Sequence, residues 1–423
     1  MSKLSPDAAV AAQYEALPYP HRDPREERKR LIVGSPSHLQ EIEQTVFGGR
    51  WPTRPVRVLI AGGGSGDALT MLAQQLAWAG RKAELLYLDP SQAARAVAEA
   101  RIAARGLDTS DIVTVRFATG SLLDLLDAGH EPFDYIDSCG VLHHLDDPDA
   151  GLRALVSVLA PQGGIGLMLY GAYGRRGVYD VQAILRTLAA EGSPKERVAQ
   201  AKRVLTQLPA TNWLLRNGVI RDHLDGGDAG LFDLLLHARD RAYTIPDWFA
   251  LVHGAGLRLA DWVEPARYKL STYFTDAALL KRAESLPPEE EAALAEQVAG
   301  NLARHAGYLV RAENPVAPPP PGDRAAIPAF KDIDPQRLLA AIDRGGRLGV
   351  SNEGLDLTLP LPTIAPALLP RIDGQKTWQA LLEEMKALRK DLSDDTLSRA
   401  AEQIARQLGG IGRLTQRYSP LSE

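Results

Sequence analysis

The chain has 423 residues, 45% of them apolar, a formal net charge of −5 and one cysteine, Cys139. That length allows two or three domains and a sizeable core, and the charge argues against an overall basic field for nucleic acid or an anionic membrane. A single cysteine excludes an internal disulfide framework and fits a reducing compartment, and no run of about 18 apolar residues suggests a membrane span.

The first residues carry no apolar signal run, so the expected location is cytoplasmic. No metal-ligand cluster or internal repeat stands out. Ser5-Pro6-Asp7 is a helix start, with a hydroxyl cap, proline in the first turn and a carboxylate near the positive end. That helix should run to about Leu17, where Pro18-Tyr19-Pro20 stops it and forces an extended segment. Residues 22–30 mix basic and acidic side chains and read as a solvated stretch.

Val56-Arg-Val-Leu-Ile-Ala-Gly-Gly-Gly-Ser-Gly-Asp67 organises the rest of the chain. Val56, Val58, Leu59 and Ile60 predict a buried strand, and Leu69, Leu72, Ala73 and Leu76 fall at helical spacing. Between them Gly62, Gly64 and Gly66 make a G-x-G-x-G turn, which lets backbone approach a ligand closely. The dinucleotide pattern G-x-G-x-x-G would need glycine at position 67, and the chain has Asp67. Ala83 to Pro90 predicts a second strand ending in Asp89, a carboxylate placed to accept hydrogen bonds from both ribose hydroxyls of an adenosine.

Ser91 to Arg105 reads as a helix, and Arg116 to Leu122 as the end of a third strand. Phe133 to Leu145 reads as a fourth strand with its loop. Pro148 to Leu159 is a helix, and Ile165 to Tyr170 a fifth strand. The alternation predicts a mostly parallel sheet with helices on both faces. A flexible basic loop, Gly171 to Gly177, precedes helices at Val178–Ala190 and Pro194–Leu208, a polar loop at 217–230 and a helix at Leu231–Asp240. Thr244-Ile-Pro-Asp247 is a capping box. Leu257 to Val263 predicts a sixth strand, Tyr268 to Phe274 a short further one, and 276–306 helices. Gly307 to Arg311 predicts the last strand of the sheet.

Asn314 to Pro321 is proline-rich and reads as a semi-rigid linker. Beyond it, Asp334-Pro335 opens a helix, Leu357 to Leu361 is a short strand, and Ile372-Asp-Gly374 is a turn. Two helices come next, at Thr377–Leu388 and Ser393–Leu408. The expected division is a lead at 1–50, a cofactor domain at 51–312 with a helical insertion at 171–243, a linker at 313–329 and a small domain at 330–423.

Taken together, the glycine turn, Asp89, the third-strand end, the fourth-strand loop and the Pro161-Gln-Gly-Gly164 turn occur in an order and spacing that resembles the class I S-adenosylmethionine-dependent methyltransferases. Within them the chain is most similar to a bacterial group with a tyrosine- and proline-rich lead (Tyr14, Pro18-Tyr19-Pro20) and Gly140-Val-Leu-His-His144 after the fourth strand. The resemblance implies a Rossmann-like α/β sheet of seven strands, the last entering antiparallel, with a helical insertion. It implies S-adenosylmethionine as cofactor, and the function expected is methyl transfer to a small molecule or to a peptide or protein side chain. The small α+β C-terminal domain resembles winged-helix-like modules appended to some bacterial protein-modifying methyltransferases.

Residue by residue, the resemblance implies that Gly62, Gly64 and Gly66 face the methionine part and ribose, and that Asp89, with Pro90 behind it, holds the ribose hydroxyls. Gly120, Ser121 and Leu122 lie where the adenine is bound, although the family often has an acidic residue at the place of Ser121. Ser138 and Cys139 lie where backbone meets the methionine end, and Tyr14 and Tyr19 form a lid over the pocket. His143 and His144 are catalytic candidates with Tyr19, because histidine can take a proton near neutral pH; orienting the loop through backbone bonds is the other reading of the pair. Tyr170, Tyr173, Arg175 and Arg176, with His237, Arg239 and Tyr243, suit an anionic or aromatic acceptor. Two other functions stay open: a cofactor-binding regulatory protein without turnover, and a nicotinamide-dependent dehydrogenase, against which the absent third glycine speaks.

Overall fold

The computed structural model describes residues 6–126, 129–189, 191–352 and 355–418. A seven-stranded sheet has the order β3-β2-β1-β4-β5-β7-β6. Its strands are β1 (Val56–Ala61), β2 (Ala83–Asp89), β3 (Val113–Thr119), β4 (Phe133–Cys139), β5 (Leu159–Tyr170), β6 (Leu257–Trp262) and β7 (Arg304–Arg311). β3, β2, β1, β4 and β5 pair in parallel, and β7 enters antiparallel between β5 and β6. The order reverses direction at β1 and β4, and in sheets of this kind ligands bind outside the carboxyl ends of the strands at that switch point.

The lead begins with helix α1 (Pro6–Ala16); the expected cap Ser5 lies outside the described residues. Helix α2 (Leu39–Thr45) comes next, then α3 (Asp67–Trp78) and α4 (Gln92–Ala104) on either side of β2. The apolar spacing of α3 does what its period requires: Leu69, Leu72, Ala73 and Leu76 are fully buried against the sheet. One core lies on that face with Val58, Ile60 and Tyr87, and a second on the other with Leu59, Ile136, Leu155 and Trp248.

Several boundaries differ from expectation. Residues 268–274 are not a strand but parts of two 3-10 turns, Pro265–Tyr268 and Leu270–Thr272. The Tyr268 ring stacks on Trp262 at 3.9 Å, which folds the segment back over β6 instead of along it. The polar stretch 217–230 is partly helical (Asp222–Asp225, and the start of Gly227–Leu235). β7 starts at Arg304, inside the stretch expected to be helical, because its pairing with β5 runs on to Tyr170. The helix from Val178 ends at Leu188, and Ala190 is outside the described residues.

In the tail, β8 (Ile327–Phe330) pairs with β11 (Leu414–Arg417), and β9 (Arg347–Asn352) forms a hairpin with β10 (Leu355–Pro360). The Arg-Leu-Gly-Val-Ser-Asn sequence of β9 has too little apolar content to mark a strand, so only its pairing reveals it. The core of the tail is Trp378, Leu381, Met385, Leu397, Ile404 and Leu408. The proline-rich stretch is tied down: Arg258 Nη2 donates to the Val316 carbonyl at 2.6 Å, and Gln416 Nε2 to that of Pro320 at 3.0 Å. The tail also meets α2 and the turn after it, through a buried Lys331–Glu41 ion pair and the Tyr418 amide on the Gly49 carbonyl at 2.7 Å.

Candidate functional site

The glycine turn leaves β1 with Gly62 at φ 75°, Gly64 at 50° and Gly66 at 88°, all in the left-handed region that favours glycine. A Cβ on Gly62 would stand 2.5 Å from Val141 Cγ2, and one on Gly63 would strike the Tyr87 ring. Tyr87 Oη in turn donates to the Gly64 carbonyl at 2.6 Å. The turn is therefore held in shape by its neighbours as well as by its own torsions.

Asp89 stands beside it at the end of β2. Its Oδ2 accepts the Gly64 amide at 2.8 Å and its Oδ1 the Ser91 amide at 2.9 Å. Burial pushes this carboxyl above its ordinary range, and the two amides act against that. Each oxygen keeps acceptor capacity beyond the one amide it binds. Pro90 is exposed, and Ser91 caps α4 by accepting the Ala94 amide at 3.0 Å.

At the end of β3, the Gly120 amide donates to the Asp89 carbonyl at 3.1 Å. Ser121 Oγ accepts the Leu123 amide at 3.2 Å, so the hydroxyl caps the 3-10 turn Leu122–Leu126, and the Leu122 side chain is buried in the core. Ser138 is fully buried with no partner for its Oγ, Cys139 is half-buried with its thiol pushed up by burial, and a Cβ on Gly140 would meet only Met168 Cε, at 3.5 Å.

The lead crosses this corner. Glu15 Oε2 accepts Ser91 Oγ at 2.8 Å and the Ala93 amide at 3.1 Å. Ser65 Oγ donates to the Pro20 carbonyl at 2.7 Å. Tyr19 Oη donates to Asp222 Oδ1 at 3.0 Å. Tyr14 Oη sits 3.0 Å from Asp233 Oδ1, 3.1 Å from His237 Nε2 and 3.4 Å from His144 Nε2. One hydroxyl from α1 thus meets three groups from the fourth-strand loop and the insertion.

His143 stacks on Tyr170 at 3.9 Å, neither of its ring nitrogens is hydrogen-bonded among the described residues, and the Arg175 guanidinium covers the Tyr170 ring at 3.6 Å. Arg175 is itself paired with Asp240 at 3.1 Å. Burial lowers His143 and His237 well below the ordinary histidine value and takes His144 to about 4. Arg239 pairs with Asp146 at 2.8 Å, and Tyr243 is a buried packing residue. Sequence reasoning missed Asp222 and Asp233. The signal for Asp233 was present: it is the one charged residue in Leu231-Phe-Asp-Leu-Leu-Leu236.

A sequence model described as a methyltransferase domain matches residues 59–165, which run from β1 into β5. Residues 59–165 are similar to a methyltransferase domain, and the sheet that carries them has the class I methyltransferase fold. The structure of PKMT2 from Rickettsia typhi in complex with AdoHcy superposes with a TM-score of 0.65 at 15% identity, covering 91% of this chain and 76% of that one. PKMT2 from Rickettsia typhi in a second structure gives a TM-score of 0.62 with the same coverage. An uncharacterized protein of Synechococcus sp. is 29% identical over 291 residues, which is 64% of this chain and 64% of that relative's length.

The residues at the switch point fit the S-adenosylmethionine that this fold family implies. A Cβ at Gly62, Gly63 or Gly66 would strike Val141, Tyr87 or Ala98, so the turn must present bare backbone; Asp89 offers acceptor capacity beside it, and among the described residues Ser138 Oγ, near the end of β4, has no hydrogen-bond partner. A separate cleft of about 310 Å³, lined by Arg304, Lys331 and Arg413 among others, lies between β7 and the tail and includes neither the glycine turn nor Asp89.

Proposed function

We propose that the chain transfers a methyl group from S-adenosylmethionine to a nucleophilic atom of a small molecule or of a peptide or protein side chain, in the cytoplasm. The observation that carries this is Asp89 and the glycine turn joined by the Asp89–Gly64 bond at the switch point of the sheet. Asp89 would hold the ribose, Gly62 to Gly66 the methionine part, and the ends of β4 and β5 would face the acceptor. The cofactor, when bound, supplies an electrophilic methyl group on a sulfonium. The protein's part is alignment, exclusion of water and removal of any proton the acceptor carries. Among the described residues no helix is long and apolar enough to cross a membrane.

In this reading the segment from α1 to Pro20 is a lid. It covers the glycine turn with the Tyr19 carbonyl, which would lie 3.1 Å from a Cβ on Gly64. Tyr14→Phe leaves Asp233 and His237 without their common partner and should weaken AdoHcy binding by about tenfold, the scale of one or two buried hydrogen bonds. Calorimetry checks it, and unchanged affinity in both Tyr14→Phe and a chain lacking residues 1–21 removes the lid from the site.

The function itself is tested by incubating the purified chain with S-adenosylmethionine and pools of metabolites and peptides. The expected result is AdoHcy formation together with one acceptor heavier by a methylene unit. AdoHcy that binds while every pool stays unmodified overturns the transferase reading.

A further inference from the structure

We propose that Asp233 is the general base of this site: its Oδ2 takes the proton that the acceptor atom loses, and Tyr14 and His237 are positioning residues that hold the carboxylate. The proposal rests on the methyl-transfer reading and adds to it the group that handles the proton.

Asp233 belongs to the helix Gly227–Leu235 and is 6% exposed. Its Oδ1 accepts the Tyr14 hydroxyl at 3.0 Å, and among the described residues its Oδ2 makes no hydrogen bond. Around it stand Tyr14 and Tyr19 from the lead, Tyr170 at the end of β5, Arg175 from the loop after it, and Asp222 and Asp240 from the insertion. His144 faces the same tyrosine hydroxyl.

The backbone of Arg239 decides where the histidine protons are. Its amide donates to His237 Nδ1 at 3.0 Å, so that ring, when neutral, carries its hydrogen on Nε2 and donates to Tyr14 Oη. Its carbonyl can only accept, so His144 Nδ1 donates to it at 2.8 Å and the lone pair of His144 is on Nε2. The Tyr14 hydrogen goes to Asp233. These tautomers follow from the hydrogen-bond network. Burial keeps His143, His144 and His237 neutral, so none of them takes up a second ring proton at neutral pH.

Asp233 differs from them in sign. Burial pushes its carboxyl up to about 7, with the Tyr14 hydrogen bond and Arg175 acting in the opposite direction. A base whose proton affinity sits near the working pH is matched to general-base work. In the step, the lone pair of the acceptor atom forms the bond to the methyl carbon. The carbon–sulfur bond breaks with its electron pair on sulfur, which becomes a neutral sulfide, and the acceptor's proton moves to Asp233 Oδ2. The site starts with one cation and one carboxylate and ends with neither, so loss of the positive charge raises the carboxylate's proton affinity as the proton is released.

Infrared difference spectroscopy on the full chain tests this, with Asp233→Asn identifying the band of the protonated carboxyl. The expected result is titration near neutral pH with AdoHcy bound, and a proton affinity about tenfold lower or more with S-adenosylmethionine bound. Nitrogen-15 spectra should show His144 protonated on Nδ1 and His237 on Nε2. With an acceptor found by the pool experiment, Asp233→Asn should slow single-turnover transfer by about a hundredfold or more, well beyond any loss of AdoHcy affinity, and Asp233→Glu should recover part of the rate. Titration of Asp233 in the ordinary carboxylate range in both complexes, or transfer by Asp233→Asn at the wild-type rate, overturns the base and leaves the methyltransferase reading standing. Failure of AdoHcy to bind overturns both.

Discussion

Arg101→Met should destabilise the fold by about 3–5 kcal/mol, the usual cost of removing one partner from a buried ion pair. Arg101 is fully buried on α4 and reaches three groups at once. It pairs with Glu27 at 2.7 Å and with Asp67 at 2.6 Å, and donates to the Ser65 carbonyl at 2.8 Å. These bonds join the lead, the glycine turn and α4 in one place. Arg105 still reaches Glu27 at 2.6 Å and Arg22 still reaches Asp67, so the loss is large without abolishing the fold. The variant should also bind AdoHcy more weakly, because Ser65 and Asp67 flank Gly66.

Acid weakens the effect. Burial pushes the Asp67 carboxyl up, but Arg22 and Arg101 outweigh it and hold it below the ordinary range. A depressed carboxylate contributes stability above its unfolded value of about 3.9, and that contribution is lost as pH falls through the folded value. The stability gap between wild type and Arg101→Met should therefore narrow between about pH 5 and about pH 3. Denaturant midpoints at two pH values measure it, and a gap below about 1 kcal/mol at neutral pH contradicts the buried-pair account.

Asp89→Ala should weaken AdoHcy binding by about tenfold to a hundredfold, the scale of hydrogen bonds to a charged group. Two effects combine. The carboxylate no longer offers its acceptor capacity to a ribose, and the Gly64 and Ser91 amides lose their partner, so the turn itself relaxes. Asp89→Asn should fall between, since its carbonyl replaces only one of the two oxygens. Calorimetry at one salt concentration decides, and wild-type affinity in Asp89→Ala removes Asp89 from the cofactor site.

The strand, glycine turn and helix at 56–78 were legible in the chain because every cause is local: β-branched residues, glycines needed at positive φ, and a 3.6-residue apolar period. Asp89 was legible for the same reason, as a carboxylate that ends a strand. The antiparallel seventh strand came from the family pattern, and its start at Arg304 only from its pairing with β5.

The proton chemistry of the site was beyond local reading. Tyr14 and Asp233 are 219 residues apart, and nothing near either one announces the other. His143 and His144 looked like bases because histidine ordinarily titrates near neutrality, but packing under α1 and Tyr170 desolvates them and lowers their proton affinity. Asp233, the one charge in an apolar stretch, went unread, and the same desolvation raises its affinity. Sequence determined which residue types were present and which elements carried them. Tertiary structure decided which way the proton affinity of each one moves, because burial penalises whichever form is charged, and so shifts a histidine and a carboxylate in opposite directions.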